Sequence, residues 1–328
     1  MAHSETSRVE LLPVDGLAEV TEGTDLAALV SGGARLADGD IVLITSKVVS
    51  KAEGRVVELD RAAAVQAETV RVVARRGDTA IVENKLGLVL AAAGVDASNV
   101  APGRVVLLPA DPDRTAREVR ERLLGLSGCN VAVVVTDTAG RAWRHGQTDI
   151  AIGAAGIDPL TSFAGRVDNY GNPLAVTAPA VADELAGAAE LVAGKLAGRP
   201  VVLVRGLASR VLAAGQHGPG ARALVRERDT DMFGLGSREA VLAAVRGTDL
   251  DAFGAPLSGD ELVGVLTGCG WPARTGNHDT VEVTSGDGAV PLGLAAVVAF
   301  AHGWPVAESA EGRPDGSPQR LLLRRPPR

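Results

Sequence analysis

Short runs of about four to seven mostly aliphatic residues recur along this chain, and segments with helical periodicity separate them. The runs are rich in β-branched residues, and most are bounded by Gly, Asp, Asn or Pro, which favours strands. Such an alternation predicts a mixed α/β (α+β) architecture. The predicted strands are Val9–Val14, Ile41–Thr45, Val105–Pro109, Val131–Thr136 and Val201–Val204.

Three segments between these strands place apolar residues at helical spacing. They predict helices over Arg61–Arg76, Arg114–Leu124 and Ala180–Leu196. Asp111 and Asp113 precede the second helix and are both available as N-caps.

A domain boundary is predicted after Gly247, because Thr248–Gly259 is rich in Asp, Gly and Pro. Residues 1–247 then form a large domain, and residues 248–328 form a small α+β module of unknown role. Nothing in that module suggests catalysis, and its isolated His278 and His302 are interpreted as structural. Its predicted elements are a helix at Asp260–Thr267, a strand at Thr280–Thr284, a helix at Leu292–Ala301 and a strand at Leu321–Leu323.

Composition excludes several classes of function. The net charge of −7 argues against a nucleic-acid binder, and an aromatic content of 2% gives no stacking platform for bases. Cys129 and Cys269 have no spacing typical of a metal knuckle or a disulfide framework. Residues 1–9 lack the apolar core of a signal peptide, and no apolar run reaches the ~18 residues that span a bilayer. A cytoplasmic protein without membrane contact is expected.

The familiar nucleotide signatures are absent from the sequence. There is no G-x-x-x-x-G-K-[ST] P-loop and no G-x-G-x-x-G opening a helix, and the glycine-rich segment Gly215–Gly220 matches neither. The fold is therefore expected to be neither a P-loop nor a Rossmann fold. A bound nucleotide would have to be held by metal and scattered polar groups.

Polar residues follow two apolar segments in the first half of the chain. Thr45–Lys51 carries hydroxyls and two lysines after a predicted strand, which suits a phosphate cradle or simply a solvated turn. Asp96 and Asn99 stand three apart where apolar character ends. They suit either a divalent cation beside a nucleotide or an Asx turn.

A second polar region follows the strand predicted to end at Thr136. Asp137 and Thr138 come directly after it, a position where hard cations are held in many α/β enzymes, although a helix N-cap or turn is the alternative. The next loop contains Arg141 and Arg144, which could clamp a phosphate or carboxylate through paired hydrogen bonds.

These segments together resemble the coenzyme F420-0:L-glutamate ligase family, the γ-glutamyl ligases, over about residues 8–245. Several long, ordered motifs make the resemblance specific. The matching stretches are 38–55, 83–88, 93–100, 136–138, 140–144, 146–149, 170–172, 195–196, 204–206 and 231–233.

The resemblance implies a set of site residues. GTP would contact Leu17, Ala18, Glu19, Val20, Ser46, Lys51 and Asn99. Asp96 and Asp137 would share a divalent metal, Mg²⁺ or Mn²⁺, and Thr138 would help to hold a second, with K⁺ as an optional further ion. Asp96, Asp137 and Lys51 would be catalytic. Segment 207–220 departs from the family pattern, and Gln216 is its candidate for contacting GTP.

The implied activity is GTP-dependent amide formation between F420-0 and L-glutamate by a homodimer. The region after residue 247 is shorter than a flavin-binding nitroreductase domain and does not resemble one, so no FMN is expected. Two alternatives stay open: a protein that binds the nucleotide or F420 without catalysis, and a ligase of the same fold that acts on another carboxylate.

Overall fold

A computed structural model describes residues 8–276, 279–285, 291–310 and 319–326, apart from the side chain of Asp229. The fold is mixed α and β, as predicted. The chain divides into two compact units, Met1–Val225 and Arg226–Arg328. His278 and residues 1–7, on which sequence expectations were placed, lie outside the described residues. Across the described ranges, no helix combines the length and the apolar character needed to cross a membrane.

The first unit contains strands β1 to β12 and helices α1 to α5. Its strands are β1 Glu10–Pro13, β2 Ile41–Thr45, β3 Val56–Val57, β4 Thr69–Arg76, β5 Thr79–Asn84, β6 Val89–Ala91, β7 Val105–Val106, β8 Ala132–Gly140, β9 Gln147–Ala155, β10 Arg166–Val167, β11 Pro173–Leu174 and β12 Val201–Arg205. Its helices are α1 Leu26–Gly33, α2 Ser46–Ala52, α3 Arg61–Glu68, α4 Pro112–Ser127 and α5 Val181–Ala193.

The main sheet of this unit has the strand order β1-β12-β2-β8-β9. Strands β2 and β8 are parallel, and the other neighbours are antiparallel. Successive residues of a strand point to opposite faces. Val42 and Ile44 therefore pack in one core with α1, α2 and α4, whereas Ile41 and Leu43 pack in a second core with α5.

Both faces of the sheet are covered, which explains the nearly continuous apolar sequence of its central strands. Ile41 and Val42 have 0% of their surface exposed, and so do Val133 and Val134. Burying one such side chain stabilises the fold by roughly 1.5–3 kcal/mol. The central strands therefore fix the framework from which the polar segments project.

The predicted helix Arg61–Arg76 is wrong in its second half. Helix α3 ends at Glu68, and Thr69–Arg76 forms β4, which pairs with β5 in the sheet β4-β5-β6. The side chain of Thr69 donates to the carbonyl of Val65 at 2.6 Å where the helix ends. Residues 69–73 include Thr and three Val, which favour a strand once a partner strand is available.

Two polar segments interpreted as strand-end loops are regular elements. Ser46–Ala52 is helix α2, which begins directly after β2. Strand β8 continues through Asp137 and Thr138 to Gly140 and pairs with β9 as a hairpin. Pairing with β2 stops at Thr136, and a register shift follows Val135. Among the strands that the structure describes, residues 137–140 therefore pair with β9 alone and form an arm.

The second unit contains helices α6 to α8 and strands β13 to β16. The helices are α6 Ser237–Arg246, α7 Gly259–Gly268 and α8 Leu292–Ala301, and the strands are β13 Ala273–Thr275, β14 Thr280–Thr284, β15 Val306–Ala310 and β16 Arg320–Arg324. The sheet order is β13-β14-β16-β15, and its core surrounds the fully buried Trp304. A capping box between Ser258 and Glu261 starts α7.

The four elements predicted for the C-terminal module are present within a residue or two of their predicted ends. β13 and β15 were not predicted. The compact unit begins at Arg226 and includes α6, whereas the predicted linker begins at Thr248. The assignment of a separate function to residues 1–247 stays a prediction.

Candidate functional site

A cleft of about 350 Å³ opens in the first unit at the carboxyl ends of β2 and β8. Its floor includes Thr45 and Thr136, which are register partners in the two parallel strands. This edge of an α/β sheet is where ligands commonly bind. The other lining residues are Leu17, Ala18, Glu19, Val20, Leu43, Lys47, Val48, Lys51, Asn99, Asp149, Ala189, Glu190, Ala193, Gly194, Lys195, Gly198, Arg199, Pro200 and Val202.

Helix α2 supplies the cationic wall of the cleft. Lys47 and Lys51 are four residues apart and therefore lie on one face of the helix. The amine of Lys51 lies 3.5 Å from the carboxylate of the exposed Glu19, so its charge is only weakly paired. The amine of Lys47 forms a closer ion pair, 2.6 Å from Oδ2 of Asp96.

Asp96 begins an Asx turn. Its Oδ1 accepts from the backbone N–H of Ser98 at 2.8 Å, and its Oδ2 accepts from the Ser98 hydroxyl at 2.8 Å. Burial alone raises the pKa of Asp96, but the hydrogen bonds from Lys47 and Ser98 outweigh it and lower that pKa below its usual value. The turn predicted as the structural alternative is present, and it holds the carboxylate ionised beside Lys47.

Asp137 lies on the β8 arm and is partly buried. The hydroxyl of Ser46 donates to its Oδ1 at 2.6 Å. Burial raises its pKa to about 6, against the lowering effect of the Ser46 hydrogen bond, and the negative charges of Asp149 and Asp96 raise it further. The described residues place no cationic side chain in an ion pair with this carboxylate.

Thr138 and Asp149 are opposite each other in the β8–β9 hairpin. The Thr138 hydroxyl donates to Oδ1 of Asp149 at 2.8 Å and accepts from the amine of Lys195 at 2.8 Å. Adjacent strand residues point to opposite faces, so Asp137 reaches α2 while Thr138 meets the segment after α5. A cation bound at Thr138 would have to replace the hydrogen bond from Lys195.

Glu190, in the last turn of α5, completes the acidic wall. Burial raises its pKa, and the negative charge of Asp149 adds to the rise while Lys195 opposes it. The cleft therefore has a lysine-bearing wall on α2 and a wall on β9 and α5 where two carboxylates lie near one lysine.

The carboxylates suit a hard divalent cation, because oxygen ligands are what Mg²⁺ and Mn²⁺ prefer. Asp137 is a partly buried acid that has no cationic partner among the residues described, a state that costs free energy once the acid ionises. Among the described residues, no group of three or more His, Cys, Asp or Glu side chains is placed to hold a metal. The set fits an ion that takes one or two carboxylates and completes its shell with phosphates and water, as Mg²⁺ does.

The structure gathers most of the predicted site residues at this cleft. Leu17, Ala18, Glu19, Val20, Lys51 and Asn99 line it directly. Asp96 and Thr138 are hydrogen-bonded to lining lysines. Ser46 is bonded to Asp137, which is close enough to the lining residue Asp149 for their charges to interact. The roles assigned to these residues stay predictions.

Three predicted residues lie elsewhere in the protomer. The carbonyl of Gln216 accepts from Arg120 at 2.7 Å, and the same guanidinium donates to Val131, just before the start of β8 and so at the opposite end of the sheet from the cleft. Arg141 and Arg144 are in the exposed hairpin loop between β8 and β9, where Arg141 donates to the carbonyl of His145. None of the three lines the cleft.

Four charged residues of the cleft received no role from the sequence: Asp149, Glu190, Lys195 and Arg199. The segment with Lys47 and Lys51 was interpreted as a phosphate cradle or a solvated turn. The i, i+4 spacing of these two lysines is informative only in a helix, and the helix was not predicted. Asp149 faces Thr138 because of the hairpin register, which the sequence does not display. Glu190 and Lys195 reach the cleft through the packing of α5 on the sheet.

Fold and cleft together define a mixed α/β protein without a P-loop, whose site brings lysines and acidic residues to one sheet edge. Comparison with protein families matches residues 16–206 to the F420-0:Gamma-glutamyl ligase family. The chain belongs to this family, and the resemblance stated from the motifs is confirmed.

Curated relatives agree with the family assignment. The coenzyme F420:L-glutamate ligase of Methanopyrus kandleri is 42% identical over 250 residues, which cover 70% of this chain and 98% of the relative. The protein of the same name from Archaeoglobus fulgidus is 42% identical over 220 residues, covering 61% of this chain and 88% of the relative. That of Methanothermobacter thermautotrophicus is 35% identical over 251 residues, covering 69% and 98%.

Proposed function

We propose that this protein is a GTP-dependent ligase that joins the phospholactyl carboxylate of F420-0 to the α-amine of L-glutamate and then adds further glutamates through γ-linkages. The names of its relatives support the substrates. The observation that carries the proposal is the cleft, which the lysines of α2 and Asp149 of β9 line together, with Asp137 of β8 close to Asp149, all within the family-matched residues.

The chemistry requires an activated acid. A free carboxylate is a poor electrophile because its charge repels the nucleophile, so the γ-phosphoryl group of GTP passes to it and gives an acyl phosphate and GDP. The amine of L-glutamate then displaces phosphate and forms the amide. Phosphoryl transfer depends mainly on positioning and charge neutralisation. The cleft offers both in Lys51, a weakly paired cation, and in the amide of Asn99.

The residues assigned to GTP are Leu17, Ala18, Glu19, Val20, Ser46, Lys51 and Asn99. Lys51 supplies a point charge to a phosphate, and the loop 17–20 and Asn99 line the same cleft. Ser46 acts on Asp137 through its hydrogen bond and fixes the orientation of that carboxylate. Gln216 is not part of this arrangement within one protomer.

Asp96 and Asp137 would hold Mg²⁺ or Mn²⁺, and Thr138 would contribute to a second ion. A bound divalent ion neutralises the repulsion between the triphosphate and the acceptor carboxylate. The raised pKa of Asp137 supports this assignment, because a buried acid without a cationic partner is the group that gains most from a cation.

The proposal includes a homodimer. Large apolar side chains are exposed on the β8–β9 loop, on the segment before α5 and just after α5, and such surface is usually covered by a partner. Tyr170 and Val176 are each 93% exposed, and Leu196 is 99% exposed. Light scattering after size exclusion should give twice the chain mass, and Val176→Asp should shift the mass toward one chain. A wild-type protein of single-chain mass at micromolar concentration would contradict the dimer.

The activity is tested by mass spectrometry of products from F420-0, GTP, L-glutamate and Mg²⁺ or Mn²⁺. We expect glutamylated F420 and GDP from the wild type, and no product from Asp137→Asn with the fold intact. Asp78→Asn, in an exposed turn, is the matched control and should stay active. Product formed at a near-normal rate by Asp137→Asn would overturn the site, and GDP formed only with another carboxylic acid would reassign the acceptor.

The cytoplasm, where GTP is available, is the proposed compartment.

A further inference from the structure

Glu190 is a charged group of the cleft that the assignments above leave unused. It lies in the last turn of α5, is half-buried and lines the cleft. Within the part of the chain that the structure describes, no donor lies within hydrogen-bonding distance of its carboxylate. By contrast, Asp96, Asp137 and Asp149 each accept a hydrogen bond from a neighbouring side chain.

Lys195 lies five residues further along the chain and also lines the cleft. Its amine donates to the Thr138 hydroxyl at 2.8 Å, and no carboxylate of the described residues forms an ion pair with it. Glu190 and Lys195 thus bring a carboxylate and an amine to the same part of the cleft, and each can form further hydrogen bonds. Side chains of opposite charge held close together are complementary to an amino-acid zwitterion.

We infer that Glu190 and Lys195 form the subsite for the incoming amino acid, in which Glu190 binds its ammonium group and Lys195 binds one of its carboxylates. This inference rests on the proposed ligase function. Glu190 and Lys195 would set the position from which the amine attacks, and their charges would select an amino acid as the substrate.

Charge placement across the cleft supports this position. Lys47 and Lys51 on α2 attract phosphates and repel an ammonium group, which favours the amine at the acidic wall on β9 and α5. That wall carries Asp149 and Glu190. Asp149 is 7% exposed and already accepts from Thr138 at Oδ1, whereas Glu190 is half-buried, so Glu190 is the more accessible acceptor. Asp137 and Glu190 each interact with the charge of Asp149, so both carboxylates lie near that residue.

Glu190 acts as the proton acceptor when the amine attacks the acyl phosphate. The ammonium group first passes one proton to the carboxylate of Glu190, and the freed lone pair forms the bond from nitrogen to the acyl carbon. The bond from that carbon to the phosphate oxygen breaks, and phosphate leaves with the electron pair. The second proton of the nitrogen goes to the departing phosphate. Burial and Asp149 raise the pKa of Glu190, which makes it a better acceptor than an exposed glutamate.

The experiment compares the two halves of the reaction in full-length protein. Hydroxylamine replaces L-glutamate and traps the acyl phosphate as a hydroxamate, so the first half is measured without the amino acid. The variants are Glu190→Gln and Lys195→Met. Their controls are Glu184→Gln, an exposed acid on α5, and Lys85→Met, a lysine that does not line the cleft.

Both variants should raise the KM for L-glutamate by about tenfold or more while leaving the KM for GTP and the rate of hydroxamate formation within about twofold of wild type. Glu190→Gln should also lower kcat with L-glutamate, because it removes the proton acceptor. An unchanged KM for L-glutamate in Glu190→Gln overturns the subsite, as does an equal loss of hydroxamate. If wild-type protein forms neither hydroxamate nor GDP, the proposed function fails instead.

Discussion

At the residue scale, the two aspartates predicted to share a metal have pKa values that are shifted in opposite directions. Burial raises the pKa of both, but Lys47 and the Asx turn outweigh it at Asp96, whereas at Asp137 the hydrogen bonds from the Ser46 hydroxyl and the Thr138 backbone do not. Asp96 is therefore ionised before any ligand arrives. Ionising Asp137 near neutral pH costs free energy, and a bound cation would remove that cost.

The raised pKa of Asp137 predicts a pH-dependent stability in EDTA. The folded state holds this proton with a pKa of about 6, against an ordinary value of 3.8. The contribution of Asp137 to stability is thus complete below pH 3.8 and is lost as the pH rises to about 6. Above that, ionised Asp137 lowers the free energy of unfolding by up to about 3 kcal/mol.

Asp137→Asn should therefore be more stable than wild type at pH 7 without metal, and the difference should disappear near pH 4. Midpoints of urea unfolding between pH 4 and 7 measure this. Asp96 titrates in both proteins, so its contribution to the pH dependence cancels in the comparison. The control Asp78→Asn should show the same pH dependence of stability as wild type. Parallel pH curves for wild type and Asp137→Asn would contradict the assigned pKa.

At the element scale, α4 shows how a helix start can fix distant parts of the fold. Asp111 caps the helix through the N–H of Arg114 at 3.0 Å, as the sequence predicted. Asp113, the alternative cap, instead accepts from the N–H of Ala154 at 2.8 Å and of Ala221 at 2.7 Å. Its carboxylate thereby joins α4 to β9 and to the turn at residues 221–224.

Replacing these two aspartates should have unequal effects. Asp111→Ala removes one cap and should cost about 1 kcal/mol. Asp113→Ala leaves partly buried N–H groups without their charged acceptor and should cost roughly 3 kcal/mol. Urea unfolding of the two variants side by side gives the comparison. A cost for Asp113→Ala no greater than that for Asp111→Ala would show that these contacts contribute little.

At the scale of the whole molecule, the family match ends at residue 206, inside the first compact unit. Every residue that lines the cleft belongs to that unit. The second unit has its own buried core around Trp304 and Leu262. Catalysis by the first unit without the second is the simplest organisation consistent with these boundaries.

A chain that ends at residue 247 should therefore keep ligase activity. We expect its kcat with F420-0, GTP and L-glutamate to stay within about threefold of the full-length value, because no lining residue is removed. Circular dichroism and size exclusion serve as controls for folding. Loss of activity in a folded truncation would show that residues beyond 247 contribute to the reaction.

The sequence by itself determined four of the five strands of the main sheet, β9 being the exception, and the family. It also pointed to six of the residues that line the cleft. Runs such as Ile41–Thr45 and Val201–Arg205 are apolar on both faces, so local composition was enough to specify them. Tertiary structure decided that Thr69–Arg76 is a strand, because it has a partner in β5, and that Ser46–Ala52 is a helix. Tertiary structure also decided which charged side chains lie close together in the cleft. Asp149 faces Thr138 through hairpin register, and Glu190 lines the cleft through the packing of α5; both depend on contacts between residues distant in sequence, which local patterns do not encode.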